Sequence, residues 1–295
     1  MSVRPGARPA QQPSALIGHY AGPEVHVMSL NLRRGSQDMP ADDVDSWSGR
    51  LPAVAALLQA EAPMILGVQE AQFYQMTDVT TSLPARFRMI GTGRSGGSRG
   101  EYTAIFFDAE RLELLEWDQF WLSDTPGTAD SASWGNSVTR IVTWGRMFDR
   151  LTRQQLVAIN THLDHESETS RIRSAQAIRA LASSFDPAVS LILTGDFNCA
   201  AAASEPFDVL VTDGPFVDSW SQAEKQLTPA FGTFNRYEPP LPGAQRIDWI
   251  LVSPNLSVRA AAINPSTFRG RYPSDHLPVQ ALLTLPERPA EPLTL

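Results

Sequence analysis

Short runs of strand-forming residues recur along nearly the whole chain, and beyond residue 83 only one helical stretch separates them. The opening has a β-α-β-α order: a strand over Val25–Leu30, an amphipathic helix over Trp47–Ala60, a buried strand over Met64–Val68 and a helix over Gln72–Leu83. Strand-like runs then follow one another at Arg86–Ile90, Tyr102–Phe107, Leu112–Trp117, Val138–Phe148 and Leu156–Asn160, with connections that favour antiparallel pairing. After a helix over Glu168–Phe185, strands recur at Ser190–Leu193, Ile247–Val252, Val258–Ile263 and His276–Leu283. So many strands with so few helices predict an α/β (α+β) fold. Its form is a four-layered sandwich of two packed sheets, mixed or antiparallel, flanked by helices.

The ends of the chain differ from its middle. Residues 1–23 are rich in Pro, Ala and Gln without periodicity and predict a flexible N-terminal arm, and residues 286–295 predict a flexible tail. Between them, residues 24–285 contain no linker-like stretch or internal repeat, so a single domain is expected. No apolar run approaches the roughly 20 residues needed to cross a bilayer, and the first residues lack the apolar core of a secretory signal. With Cys199 as the one cysteine, a cytoplasmic protein without a membrane partner is expected. A net charge of -8 argues against a broad basic face for coating nucleic acid, though a local basic site is compatible with it.

Polar clusters mark the strand boundaries: Ser29-Leu30-Asn31, Gly67-Val68-Gln69-Glu70, Asn160-Thr161-His162-Leu163-Asp164, Gly195-Asp196-Phe197-Asn198, Arg246-Ile247-Asp248-Trp249 and Ser274-Asp275-His276. Any one of them alone reads as a turn or a strand-end cap. Together they put carboxylates, amides and imidazoles where strands meet loops, the usual place for a hydrolytic site. Alternation along extended backbone puts Asp196 and Asn198 on one face and Asp164 on the face of His162, with His165 on the other. That weakens a zinc reading of His162, Asp164 and His165. Cys199 reads as a small buried residue rather than a nucleophile. The loop Gly91–Gly100 lacks the Gly-Lys-Ser/Thr ending of a nucleotide-binding loop and reads as a flexible connection. Trp121, Trp134, Phe231 and Phe234 suit a substrate pocket or the core equally.

In their order and spacing, from about Val25 to Leu285, these clusters resemble the endonuclease/exonuclease/phosphatase (DNase I-like) superfamily. Phe120-Trp121-Leu122-Ser123-Asp124-Thr125-Pro126, with Arg140-Ile141-Val142-Thr143-Trp144, resembles a bacterial branch related to the deadenylase group. The resemblance implies a DNase I-like fold and metal-dependent hydrolysis of a phosphate ester by in-line attack of water. Asn31 and Glu70 match the metal-binding pair, with Asp275 in support, and oxygen ligands suit Mg2+ or Mn2+. Asp196 matches the group that orients or deprotonates the water, and Asn198 the amide that holds water or a phosphoryl oxygen. His276, as base or as cationic clamp, matches the catalytic histidine oriented by Asp248. His162 is similar to a second histidine on the phosphoryl group, supported by Glu101, and Arg140 to a phosphate-binding arginine. Asp164 is a candidate for contact with a substrate hydroxyl or the metal. The implied partner is a phosphorylated substrate. The acidic charge favours a small-molecule phosphatase or phosphodiesterase, with a nuclease on RNA or DNA as the alternative. A catalytically silent binding module is the third reading, but Glu70, Asp196 and His276 are all retained. The sequence carries no sign of oligomeric state.

Overall fold

Alternation along the first strand decides where the layers lie. β1 (Val25–Asn31) is buried on both faces: Val25 and Val27 enter one apolar cluster, Met28 and Leu30 another. The face that starts with Val25 and Val27 ends in Ser29 and Asn31, because side chains two apart share a face. The computed structural model describes residues 14–36 and 38–286, so the first part of the expected N-terminal arm and nearly all of the expected tail lie outside the described residues.

The strands that follow are β2 (Ile65–Ala71), β3 (Phe87–Ile90), β4 (Tyr102–Asp108), β5 (Leu112–Trp121), β6 (Ile141–Asp149), β7 (Gln154–His162), β8 (Ser190–Asp196), β9 (Val217–Asp218), β10 (Asp248–Val252), β11 (Ser257–Ile263) and β12 (Val279–Thr284). They form two six-stranded sheets, in the orders β11-β12-β1-β2-β4-β3 and β5-β6-β7-β8-β10-β9. Each sheet is mixed: β1 runs parallel to β2 and β7 parallel to β8, while the other pairings are antiparallel. Between the sheets pack Val27, Ile65, Ile105, Leu156, Ile192 and Ile250. On the outer side of the first sheet, α1 (Trp47–Glu61) and α2 (Phe73–Ser82) bring Leu57, Leu58 and Val79 against Leu30, Leu66 and Phe106. α3 (Glu168–Ser183) covers the second sheet, with Ala175 and Ile178 against Val157 and Leu193. These four layers are the sandwich expected.

Element boundaries moved where turn chemistry outweighs alternation. β12 starts at Val279, not His276, since Pro278 cannot donate to a ladder. β6 starts at Ile141, leaving 138–140 as the loop that carries Arg140. β9 and the helical turns Glu205–Phe207, Asp208–Thr212 and Ser219–Gln222 are too short to show a period.

Along the inter-sheet space apolar side chains give way to a polar layer. Asn160 reaches across from β7 and donates to the carbonyls of Val68 and Ala104, both at 2.9 Å, while its oxygen accepts from Gln69 Nε2 at 2.7 Å and Thr194 Oγ1 at 3.0 Å. Gly67 permits this close approach, because a Cβ there would run into Thr194 Oγ1 and Asn160 Oδ1. At the opposite end of the domain, the buried Glu61 carboxylate accepts from the backbone amides of Leu16, Ile17 and Gly18, so this part of the N-terminal segment is tied to α1.

Candidate active site

The same faces that carry the core end in chemistry. On β8, Ile192 is followed two residues on by Thr194 and then by Asp196; on β7, Leu156 and Ala158 are followed by Asn160 and His162. Register places His162 beside Asp196 and Asp196 beside Asp248, one row across three strands. From the other sheet Asn31 reaches this row: its Nδ2 donates to Asp196 Oδ2 at 2.9 Å and to Glu70 Oε1 at 3.0 Å. The loop before β12 adds His276, whose Nδ1 lies 2.9 Å from Asp248 Oδ2 and whose Nε2 lies 3.9 Å from Asp196 Oδ2.

Two backbone outliers aim the remaining groups. Glu70 has φ 61° at an irregularity in the β2–β4 pairing, and Asn198 has φ 51°. A left-handed glutamate such as Glu70 costs roughly 1–2 kcal/mol, whereas asparagine tolerates that region, and such strain concentrates at functional sites. Asn198 therefore does not share the face of Asp196 by strand alternation, since β8 stops at Asp196. The chain turns, with Asn198 N–H donating to Asp196 Oδ1 at 2.9 Å, and the Asn198 amide is delivered to His162 Nε2 at 3.0 Å and to the carbonyl of Leu163.

Burial and crowding set the protonation states. Burial, reinforced by the adjacent Asp248, pushes the Asp196 carboxyl up to about 7. Burial disfavours a charged His276, but Asp248 and Asp196 overcome it and raise its pKa to about 10. His162 is held well below the ordinary imidazole range by burial and by Arg140 and Arg94, so it is neutral and its Nε2 accepts from Asn198. Burial raises Asp275, with Glu70 adding to the rise. For Glu70 burial acts upward too, yet the Asn31 hydrogen bond and His276 bring it below the usual carboxylate range.

These groups line a cleft of about 430 Å3, together with Arg33, Arg34, Arg94, Glu101, Arg140, His165, Asn198 and Phe234. Ligand atoms of Glu70, His162 and Asp196, and those of Asp196, Asp248 and His276, lie close enough together to hold a metal ion. Crowded, buried carboxylates are the donor set a hard divalent cation takes, and a cation among them offsets the burial and the lesser like-charge repulsion that raise Asp196 and Asp275. Asn31 points its amide nitrogen at the two carboxylates, and its oxygen accepts from the Arg33 amide at 2.8 Å. It thus holds the carboxylates together instead of offering an oxygen to the cluster.

Two expected members sit differently. Asp164 is fully buried and outside the cleft lining, with its carboxylate engaged by the amides of Glu166 and Ser167 and by Arg140 Nε at 3.4 Å. Glu101 lines the cleft but pairs with Arg94 at 2.7 Å instead of with His162. Arg94 belongs to the glycine-rich loop. That expected flexible connection is a compact turn with Gly93 N–H on the Gly97 carbonyl and Trp121 Nε1 on the Arg94 carbonyl at 2.6 Å. His165 also faces the cleft, because the chain has left the strand after His162. Of the aromatic set, Phe234 lines the cleft with its ring 4.7 Å from that of His276, Phe231 packs in a cluster with Trp220, and Trp134 Nε1 bonds Asp124. Cys199 is partly buried, with its thiol pushed up to about 11 by burial.

The Endonuclease/Exonuclease/phosphatase family model matches residues 28–276. Among solved structures, the mannosyl-6-phosphatase Bt3783 of Bacteroides thetaiotaomicron VPI-5482 is 32% identical, with a TM-score of 0.81 over 88% of this chain and 99% of that one. A further endonuclease/exonuclease/phosphatase family protein from Bacteroides thetaiotaomicron is 31% identical, with a TM-score of 0.82 over 90% of this chain and 99% of that one. The human Nocturnin catalytic domain with bound sulfate superposes with a TM-score of 0.66 over 88% of this chain and 94% of that one; at 18% identity it shares the fold alone. Among curated proteins none matches significantly.

Proposed function

Since this chain belongs to the endonuclease/exonuclease/phosphatase family, whose members hydrolyse phosphate esters, we propose that it is a Mg2+- or Mn2+-dependent phosphatase of a small phosphomonoester, a sugar phosphate foremost. The observation that carries this reading is the cleft itself. Its size suits a small ligand, and Arg33, Arg34, Arg94 and Arg140 stand around the carboxylate cluster as forked donors suited to phosphoryl oxygens, with Arg33, Arg94 and Arg140 also paired to carboxylates. The relative at 32% identity, described as a mannosyl-6-phosphatase, supports the same substrate class.

In this mechanism Asp196 holds a water and takes its proton as the water oxygen bonds to phosphorus and the ester P–O bond breaks, the departing alkoxide taking a proton from solvent. His276 is an imidazolium at neutral pH, fixed through Nδ1 by Asp248, and its Nε2–H donates to a phosphoryl oxygen. It acts as a clamp rather than as the base. Arg140 stabilises charge on the other phosphoryl oxygens, while the Asn198 amide, whose two N–H groups meet His162 Nε2 and the Leu163 carbonyl, holds His162 in place. Glu70, with Asp275 in support, would hold the divalent cation, which when bound neutralises phosphoryl charge. Asn31 keeps Glu70 and Asp196 from drifting apart.

Initial rates on hexose 6-phosphates, a phosphodiester and single-stranded oligonucleotides, each with Mg2+, Mn2+ or EDTA, test the reading. Hexose phosphates are expected to be the fastest substrates, with no turnover in EDTA. Faster cleavage of oligonucleotides, or full activity in chelator, would overturn it.

A further inference from the structure

We infer that His165, which lines the cleft, and the exposed Glu166 beside it form a hydroxyl-reading subsite, which selects a polyhydroxylated leaving group; the inference rests on the phosphomonoesterase reading above. The buried Asp164 builds the turn that presents them, by accepting from the Glu166 amide at 3.0 Å and the Ser167 amide at 2.7 Å. Arg140 then sets the state of the imidazole. Arg140 Nη2 lies 3.0 Å from His165 Nδ1, and a guanidinium can only donate. Nδ1 is therefore the acceptor, and the ring proton sits on Nε2.

Among the described residues that Nε2–H has no partner at hydrogen-bond distance. Glu166 Oε1 lies 3.7 Å from it, while the other carboxylate oxygen of Glu166 accepts from Ser137 Oγ at 3.2 Å. A donor and an acceptor side by side at that spacing match a hydroxyl, which accepts from one and donates to the other. A second phosphate fits poorly, because Glu166 would repel it. Depth assigns the part of the substrate concerned. The side chains of His162 and His276 are 7% exposed, whereas those of His165 and Glu166 are 49% and 66% exposed. With the phosphoryl group at the deep histidines, the mouth receives the leaving group.

The test compares kcat/KM of the wild type, His165→Ala and Glu166→Ala on a panel of hexose 6-phosphates and on 4-nitrophenyl phosphate, whose leaving group has no free hydroxyl in the ester. Glu166→Ala is expected to lose roughly tenfold on the best hexose phosphate, mostly in KM, and to stay within about twofold on the aryl phosphate, as for loss of a hydrogen bond to the substrate. His165→Ala, which also frees Arg140 Nη2, is expected to lose more on the hexose phosphate than on the aryl phosphate. Circular dichroism melts confirm that both variants are folded. Equal losses on both substrate types, or no loss on either, would overturn the subsite while leaving the phosphatase reading in place. A wild type inactive on every phosphomonoester would instead remove that reading and the subsite with it.

Discussion

The space between the two sheets has a packed end and a reacting end, and the same strands build both. On β8, Ile192 lies among aliphatic side chains at one end, and Asp196, on the same face, lies against a second buried carboxylate at the other. The packed end holds together what its own chemistry favours. The reacting end holds Asp196 beside Asp248, and Glu70 and Asn198 in left-handed backbone, none of which is favourable by itself. Between them stands the Asn160 layer, which stitches the sheets with hydrogen bonds in place of apolar contact. The difference teaches that stability and activity should separate along the strand.

The separation is sharpest for Asp196→Asn and His276→Ala. Each is expected to lower kcat/KM by about a thousandfold or more, and Asp196→Asn should hold or raise the urea midpoint by removing one of two adjacent buried carboxylates. A large loss of stability with it would break the comparison. Ile192→Ala should do the reverse, costing about 2–5 kcal/mol in urea unfolding while the folded fraction keeps near-normal kinetics. At the boundary, Gly67→Ala should cost roughly 1–3 kcal/mol, since the new methyl pushes against Thr194 and Asn160. An unchanged midpoint would show that the polar layer yields easily.

The smallest effect concerns pH. His26, near the packed end, is bonded through Nδ1 to the Gly18 carbonyl and accepts at Nε2 from Gln280, and burial lowers its pKa to about 4. In the unfolded chain an imidazole titrates near 6.5. Its contribution is complete above that value and is lost as pH falls from 6.5 towards 4, where the unfolded state takes up the proton first. Urea midpoints across this window should fall less steeply in His26→Gln than in the wild type; parallel slopes would exclude His26 as the source.

Much of the site was legible because strand alternation is local. Two-residue steps carry Val25 to Asn31, Leu156 to His162 and Ile192 to Asp196, so the polar ends of apolar runs could be found without knowing their partners. The same rule misplaced groups once the strand had ended. It put Asp164 on the reacting face and His165 away from it, whereas the turn after His162 buries Asp164 under Arg140 and turns His165 into the cleft. Arg33, Arg34 and Arg94 gave no periodic signal, because they stand on loops.

From the sequence by itself came the succession of strands along the chain, short β9 apart, and the carboxylates, amides and histidines that end them, since a side chain's direction on a strand follows from its own backbone. Tertiary structure alone decided that Asn31 would meet Asp196 from 165 positions away, that a glycine-rich loop would deliver Arg94, and that Arg140 would fix the imidazole of His165. Those contacts depend on how two sheets and their loops settle against each other, and no local repeat encodes that.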